Sequence, residues 1–499
     1  MKPLYLPSTL RELENLEARK LGLQSSRELI PIAVQQLFEF CLPLLEKLSP
    51  QKIVLLEGPG NNGADGRGLY EKLQIAFKDK NLQWLTINTH SKSDLDLSSL
   101  ASDKILILDA VFGSGFKGPE LPVFWRSIFD LIKKARIHNP YSLKVWAIDS
   151  PSGLDCQKGR PAPGTLPADQ TLSLGFSKYS HYLPWLKPWI GKLDFLNLNF
   201  ENSLETCDVM LLEKTDLPAI LPKRVESNHK GSWSRVEILA GSKEFPGACY
   251  LASLGAFKVG ASYVYVPNEV FSEGNFLQIL PEVIPGPAPT TSPRVRAVGP
   301  GWGLSPSNMD FLKNLLSKDS SDFEEIPQIF DADALVLLSQ IPQAPSFFRN
   351  LKKIHKPVLF TPHPGEALAL LGETASKSTT FDPKDRLQLV SELQKKWGEE
   401  IVFILKGSGN LIAQHQKKYL SRWGSVAMAN AGHGDLLTGI LAGLLAQGLS
   451  GLEAALCGLA IQGLSAEALM ASPSQTTGIL AHEVGQRVPM TLAELNLMN

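Results

Sequence analysis

Apolar positions change their period twice along the chain. Residues 8–48 carry a Leu/Ile stripe with charges on the opposite face, which predicts helix. From Lys52 short apolar runs take over: Ile53–Leu56, Leu85–Ile87, Ile105–Leu108, Val145–Ile148 and Thr171–Leu174, each followed by a Gly-rich or polar loop. Helical stretches, Leu69–Phe77 and Pro122–Ala135, lie between some of them. A second block repeats this at Val236–Ala240, Tyr263–Val266, Arg296–Val298, Ile329–Asp331, Val358–Thr361 and Ile401–Leu405, and ends in a helical tail from Gly434. Buried strands alternating with helices predict α/β architecture with two doubly wound parallel sheets. The mixed segment Glu201–Ser227 separates the blocks, giving domains 1–214 and 215–499. Pro281–Pro293, with five prolines, predicts a loop inside the second domain.

Composition narrows the class. At 499 residues the chain exceeds the usual size of one core, and 43% hydrophobic with 20% charged residues suits globular domains. A net charge of -1 argues against a broad basic surface, so neither nucleic acid nor an anionic membrane is an expected partner. Cys41, Cys156, Cys207, Cys249 and Cys457 show no Cys-x-x-Cys spacing, which predicts free thiols in a reducing compartment. The N-terminus shows no signal-like apolar run, and the Gly-interrupted segment Leu436–Leu449 is too short to span a bilayer. A cytoplasmic protein is expected, with that segment a buried helix.

In an open α/β sheet the ligand lies at the carboxyl ends of the strands. The first such loop is Gly58-Pro59-Gly60-Asn61-Asn62-Gly63-Ala64-Asp65-Gly66. It contains Gly-x-Gly-x-x-Gly, but the next strand ends Ile87-Asn88-Thr89 without the carboxylate that a dinucleotide ribose requires, so the ordinary fingerprint is rejected. Its glycines still open the backbone to a phosphate. The second loop runs Asp109-Ala110-Val111-Phe112-Gly113-Ser114-Gly115-Phe116-Lys117-Gly118, followed by Pro119, and the third runs Asp149-Ser150-Pro151-Ser152-Gly153-Leu154-Asp155. Asn62, Ser152 and the loop carboxylates suit a hard cation, and Asp149 with Lys117 suits an acid/base pair.

These loops resemble the epimerase domain of the bifunctional NAD(P)H-hydrate repair enzyme family, with its Asn-Asn-Gly-Gly-Asp-Gly, Asp-Ala-x-Phe-Gly-x-Gly and Asp-x-Pro-Ser-Gly loops. The resemblance implies a Rossmann-like three-layer sandwich. It implies hydrate contacts from Asn61, Asn62, Gly63, Ala64 and Asp65, from Gly113, Ser114, Gly115, Phe116, Lys117, Gly118 and Pro119, and from Asp149. It also implies K+ on Asn62, Asp109 and Ser152. The chain departs from the family at Ala64, where the family has Gly, and at Ala33-Val34-Gln35-Gln36-Leu37, which replaces a Met-Glu-Asn-Ala-Gly helix.

The second domain opens with His229-Lys230-Gly231 and carries Gly241-Ser242, Gly247-Ala248, Gly299-Pro300-Gly301-Trp302-Gly303, Asp331-Ala332-Asp333, Thr361-Pro362-His363-Pro364-Gly365-Glu366 and Lys406-Gly407-Ser408-Gly409-Asn410. Its strongest element is Ala431-Gly432-His433-Gly434-Asp435, leading into an apolar helix. Small residues before a helix expose backbone amides to an anion, and Asp435 is placed to take a proton from a hydroxyl. This set resembles the family's ribokinase-like dehydratase domain, also a three-layer sandwich. The resemblance implies hydrate contacts from Ala248, Gly303, His363 and Asp435. It implies adenine-nucleotide contacts from Lys406, Gly407, Ser408, Gly409, Asn410 and Gly434, with ADP as co-substrate and Mg2+ assisting. The implied substrates are hydrated NADH and NADPH, and the implied assembly a homo-oligomer. The family has Thr or Ser where this chain has His433, so an imidazole is expected to donate into the anion hole or to crowd it. The alternative reading is a ribokinase-like small-molecule kinase with a non-catalytic N-terminal binding module; it leaves the N-terminal loops unexplained.

Overall fold

The computed structural model describes residues 1–89, 104–201, 205–223, 231, 234–273, 280–290, 294–317, 325–350, 356–373, 383–472 and 475–497. His229 and Lys230 of the expected domain opening lie outside these residues. Contacts divide the chain into two units, one mainly Pro3–Val209, the other mainly Met210–Thr380 with Asp385–Asn499.

The first unit holds a six-stranded sheet, in spatial order Gln83–Ile87, Lys52–Glu57, Ile105–Ala110, Leu143–Ile148, Gln170–Leu174 and Lys192–Leu196. Every neighbouring pair is parallel. Alternate residues of each strand enter different cores, as a period of two requires. Ile53, Leu55, Leu106 and Leu108 pack toward Leu37, Cys41, Leu69 and Leu73 of helices Ile30–Leu48 and Asn61–Ala76. Val54, Leu56, Ile105 and Ile107 pack toward Trp125, Phe129 and Ile132 of helix Val123–His138.

Helix Asn61–Ala76 begins eight residues before the expected Leu69. Glycine lowers helix propensity, so Asn-Asn-Gly-Ala-Asp-Gly-Arg-Gly reads as loop. Close packing explains those glycines. A Cβ at Gly63 would overlap the Gly58 carbonyl, and one at Gly66 the Ala110 side chain.

In the second unit the sheet runs Lys417–Ser421, Asn410–Gln414, Val402–Leu405, Val358–Phe360, Gln328–Phe330, Arg294–Val298, Arg235–Leu239, Val264–Val266 and Ile284–Pro285. It is parallel from Val402–Leu405 to Ile284–Pro285, and an antiparallel hairpin joins Asn410–Gln414 to Lys417–Ser421. The hairpin and the short strand Ile284–Pro285 escaped the sequence pattern. Both α/β expectations hold. The tail forms helices His433–Ala446, Gly451–Leu469 and Ala481–Asn496. Helix His433–Ala446 is buried along most of its length, as expected for its apolar run.

That helix crosses helix Pro246–Val259 at backbone contact distance. A Cβ at Gly255 would overlap the Leu436 carbonyl, and one at Gly439 the Ala252 carbonyl. The close crossing fixes the position of the first turn, where Asp435 sits. Gly439→Ala is expected to cost about 1–3 kcal/mol through overpacking, whereas Gly247→Ala, which meets nothing within 4 Å, costs far less. Thermal denaturation of the two variants checks this; equal Tm values would contradict the close crossing.

Candidate active sites

In the first unit the three loops gather at the carboxyl ends of strands Lys52–Glu57, Ile105–Ala110 and Leu143–Ile148. Asp149 follows the last of these with φ +64°, a left-handed conformation that costs a non-glycine residue and often marks a functional position. Its Oδ2 accepts from the Ser114 N–H at 2.9 Å, and its Oδ1 pairs with Lys178 Nζ at 2.6 Å. Burial opposes ionisation of Asp149, but Lys178 and the Ser114 N–H offset it and hold the carboxyl down to about 2. A Cβ at Gly113 would come within 2.8 Å of Asp149 Oδ2 and 3.4 Å of Asn62 Cγ, so Asn62, Gly113 and Asp149 converge.

The ammonium paired with Asp149 is thus Lys178 rather than the expected Lys117, which stands exposed on its loop. Lys178 lies just beyond strand Gln170–Leu174, the neighbour of the strand that leads into Asp149, and its Nζ also donates to the Leu174 carbonyl at 2.5 Å. The available signal was a lone lysine inside Leu172-Ser173-Leu174-Gly175-Phe176-Ser177-Lys178-Tyr179. Two further carboxyls face this ion pair. Asp65 is buried with Oδ1 unpartnered, and burial, Asp149 and Glu14 push it well above the carboxylate range. Glu14, from helix Pro7–Lys20, is pushed up to about 6 by burial, with Lys178 opposing. His181 is pulled down to about 3 by burial and by Lys178, so it is neutral, and its Nε2 meets Ser150 Oγ at 3.2 Å.

The expected cation ligands separate into two kinds. Asn62 is buried with neither amide atom partnered. Asp109 is fully buried and pushed up to about 6 by burial, although Ser152 Oγ donates to it at 2.5 Å and Ser152 N at 2.9 Å. Ser152 Oγ also accepts from the Phe112 N–H at 2.8 Å, so its bonding is largely satisfied within the protein.

In the second unit the loops after strands Gln328–Phe330, Val358–Phe360 and Val402–Leu405 bring Asp331, Glu366 and Lys406 together, because these strands are neighbours. Lys406 Nζ lies 2.5 Å from Asp331 Oδ1 and 3.9 Å from Glu366 Oε2. Thr438 Oγ1 donates to Asp331 Oδ2 at 2.8 Å. Asp435 sits in the first turn of helix His433–Ala446, behind Gly432 at φ +97°. Burial and the charge of Asp331 push Asp435 up to about 6, with Lys406 opposing. Glu366 is likewise pushed up to about 7 by burial.

His363 caps helix Pro364–Leu371, its Nδ1 accepting from the N–H groups of Gly365 (3.0 Å) and Glu366 (3.2 Å). That leaves the proton on Nε2, which faces Glu366 at 3.1 Å on an exposed ring. Ala248 is packed beneath the glycine loop, where a Cβ at Gly301 would meet it, and the Gly303 N–H donates to Asp333 at 2.7 Å. Sequence reasoning missed Arg386. It is buried and donates to the carbonyls of Leu405, Ser408 and Gly409, shaping the Lys406–Asn410 loop from behind. His433 turns its Nε2 to the Ile479 carbonyl at 3.1 Å, so that nitrogen is engaged within the protein.

Residues 236–490 match the family model for NAD(P)H-hydrate dehydratase, and residues 71–180 match that for the YjeF-related protein N-terminus. The bifunctional NAD(P)H-hydrate repair enzyme of Coxiella burnetii is 30% identical over 506 residues, covering 94% of this chain and 95% of that protein. The chain belongs to the bifunctional NAD(P)H-hydrate repair enzyme family. The member from Moorella thermoacetica is 29% identical, with 84% of each chain covered. The ADP-dependent (S)-NAD(P)H-hydrate dehydratase of Neisseria meningitidis is 31% identical and aligns with 57% of this chain and 94% of its own. The ADP/ATP-dependent dehydratase of Bacillus subtilis, solved with ATP/Mg2+, is 28% identical, covers 58% of this chain and 99% of its own, and superposes with a TM-score of 0.48. Each family-model match contains one of the ion pairs described above, Lys178–Asp149 within 71–180 and Lys406–Asp331 within 236–490.

Replacing Lys178 with Met strands a buried carboxylate and is expected to cost about 3–5 kcal/mol, whereas exposed Lys117→Met stays within about 0.5 kcal/mol. Urea denaturation of the two variants decides it, and equal midpoints would contradict the Asp149–Lys178 pairing.

Proposed function

We propose that the chain repairs hydrated NADH and NADPH at two separate centres. The N-terminal centre interconverts the S and R hydrates, and the C-terminal centre dehydrates one epimer at the expense of ADP. Asp435, in the first turn of an amide-rich helix next to the Lys406–Asp331 pair, carries the second assignment. Its carboxyl lies near 6, so at neutral pH it is mostly ionised yet more basic than an ordinary aspartate, the compromise a general base needs.

In this reading Asp435 removes the proton of the C6 hydroxyl as that oxygen attacks the β-phosphorus of ADP and AMP departs. Phosphate then leaves C6, driven by the ring-nitrogen lone pair, and loss of a C5 proton restores the dihydronicotinamide. The products are NAD(P)H, AMP and phosphate. The helix amides and Lys406 stabilise phosphoryl charge. Arg386 holds the nucleotide loop, and Gly303, where a Cβ would meet nothing within 4 Å, leaves room for the nicotinamide. Mg2+ would be carried by the nucleotide's phosphate oxygens and would neutralise charge developing on the transferred phosphoryl group.

In the N-terminal centre the residues fit K+. Asn62 Oδ1 is a buried acceptor without a partner, and Asp109 is a buried carboxyl lacking compensating charge. Asn62 and Asp109 would hold the ion beside Ser152, and the bound ion would supply that charge. The five thiols are free, four of them buried, which supports a reducing cytoplasmic setting.

Hydrated NADH supplied with ADP should regain the absorbance of reduced nicotinamide. Asp435→Asn is expected to abolish that recovery while the hydrates still interconvert; loss of both activities would contradict separate centres. The wild-type rate is expected to rise with pH through about 6 and then level, because the acting form of Asp435 is deprotonated. A rate that falls across this range would contradict its role as base.

A further inference from the structure

We infer that Asp331 is a positioning residue for dehydration: its buried carboxylate fixes the Lys406 ammonium on one oxygen and the Asp435-bearing helix on the other, and keeps its charge facing Asp435. The inference rests on Asp435 acting as the base.

Asp331 is buried, with Lys406 Nζ 2.5 Å from Oδ1 and Thr438 Oγ1 2.8 Å from Oδ2. Thr438 stands three residues after Asp435, so both lie on the same face of helix His433–Ala446. Gly434 lets that face come close: a Cβ there would lie 3.4 Å from Lys406 Nζ and 3.9 Å from Asp331 Oδ2. The Asp331 backbone is itself fixed. Its N–H donates to the Val298 carbonyl, its carbonyl occupies the space a Cβ at Gly299 would need, and Ala332 follows at φ +46°.

The charges facing Asp435 come from several elements. Asp331 and Asp333 flank the start of helix Ala332–Ser339, and Lys406 follows strand Val402–Leu405. Glu366 and His363 reach Lys406 from helix Pro364–Leu371 and its cap, and His433 on the base's own helix turns to Ile479. One ammonium thus serves three carboxyls, Asp331, Glu366 and Asp435, and Asp331 takes it at the shortest distance. Asp435 is left undercompensated, and Asp331 is the largest cause after burial of its upward shift.

Asp331→Asn keeps size, and its amide can still bond Thr438 Oγ1, but it removes the charge and frees Lys406 to turn toward Asp435. The acid limb of the ADP-dependent rate is expected to move down by about one pH unit relative to wild type, with a lower plateau. Thr438→Val is expected to lower the plateau several-fold without moving the limb, and Thr438→Ser to restore it. A limb in Asp331→Asn that stays or moves up overturns the inference, as does an equal displacement in Thr438→Val. Asp435→Asn, measured alongside, isolates the other failure: retained dehydration there sinks the base assignment itself.

Discussion

The largely buried ammonium of Lys406 holds the C-terminal centre together. A charge withdrawn from water needs partners, and three elements of the fold deliver them. Parallel neighbours Gln328–Phe330, Val358–Phe360 and Val402–Leu405 end side by side, so Asp331, Glu366 and Lys406 meet without long loops. Thr438 ties helix His433–Ala446 to the same carboxylate. Glycines at 255 and 439 let that helix lie on its neighbour at backbone distance. Sheet order, helix packing and charge pairing therefore converge on where Asp435 stands.

The N-terminal centre uses the same device on a different sheet. Lys178 holds Asp149 ionised, while Asp65 and Glu14 remain above the carboxylate range. In both centres one ammonium is outnumbered by carboxyls, so one carboxyl is fixed as a charge and others stay ready to carry a proton. Such divergence between neighbouring groups is what acid–base chemistry near neutral pH requires.

Much of this was legible in the sequence, for physical reasons. Strands buried on both faces read as apolar runs, so most parallel strands of both sheets were visible, as were the polar loops at their ends, while the edge strands Lys192–Leu196 and Ile284–Pro285 were not. Asp435, Asp149, Lys406 and His363 stood in those loops. Long-range partners were not visible. Lys178 lies outside the three loops that drew notice, and Arg386 sits in a helix whose charged side chains look like an ordinary solvated face. Helix Asn61–Ala76 was shortened in the reading because its glycines serve packing against Gly58 and Ala110, which no local propensity reveals. The Ile479 partner of His433 was not legible because its sequence position, not its rotamer, was visible.

The central claim is that two centres on one chain together clear both hydrate epimers. The most direct measurement follows a mixture of S- and R-hydrated NADH with ADP and the intact chain, quantifying each epimer, NADH, AMP and phosphate. The account predicts complete recovery of NADH, with one AMP and one phosphate formed per NADH and neither epimer left behind. Recovery that stops with one epimer untouched beyond its spontaneous interconversion, or NADH regained without AMP, would contradict it.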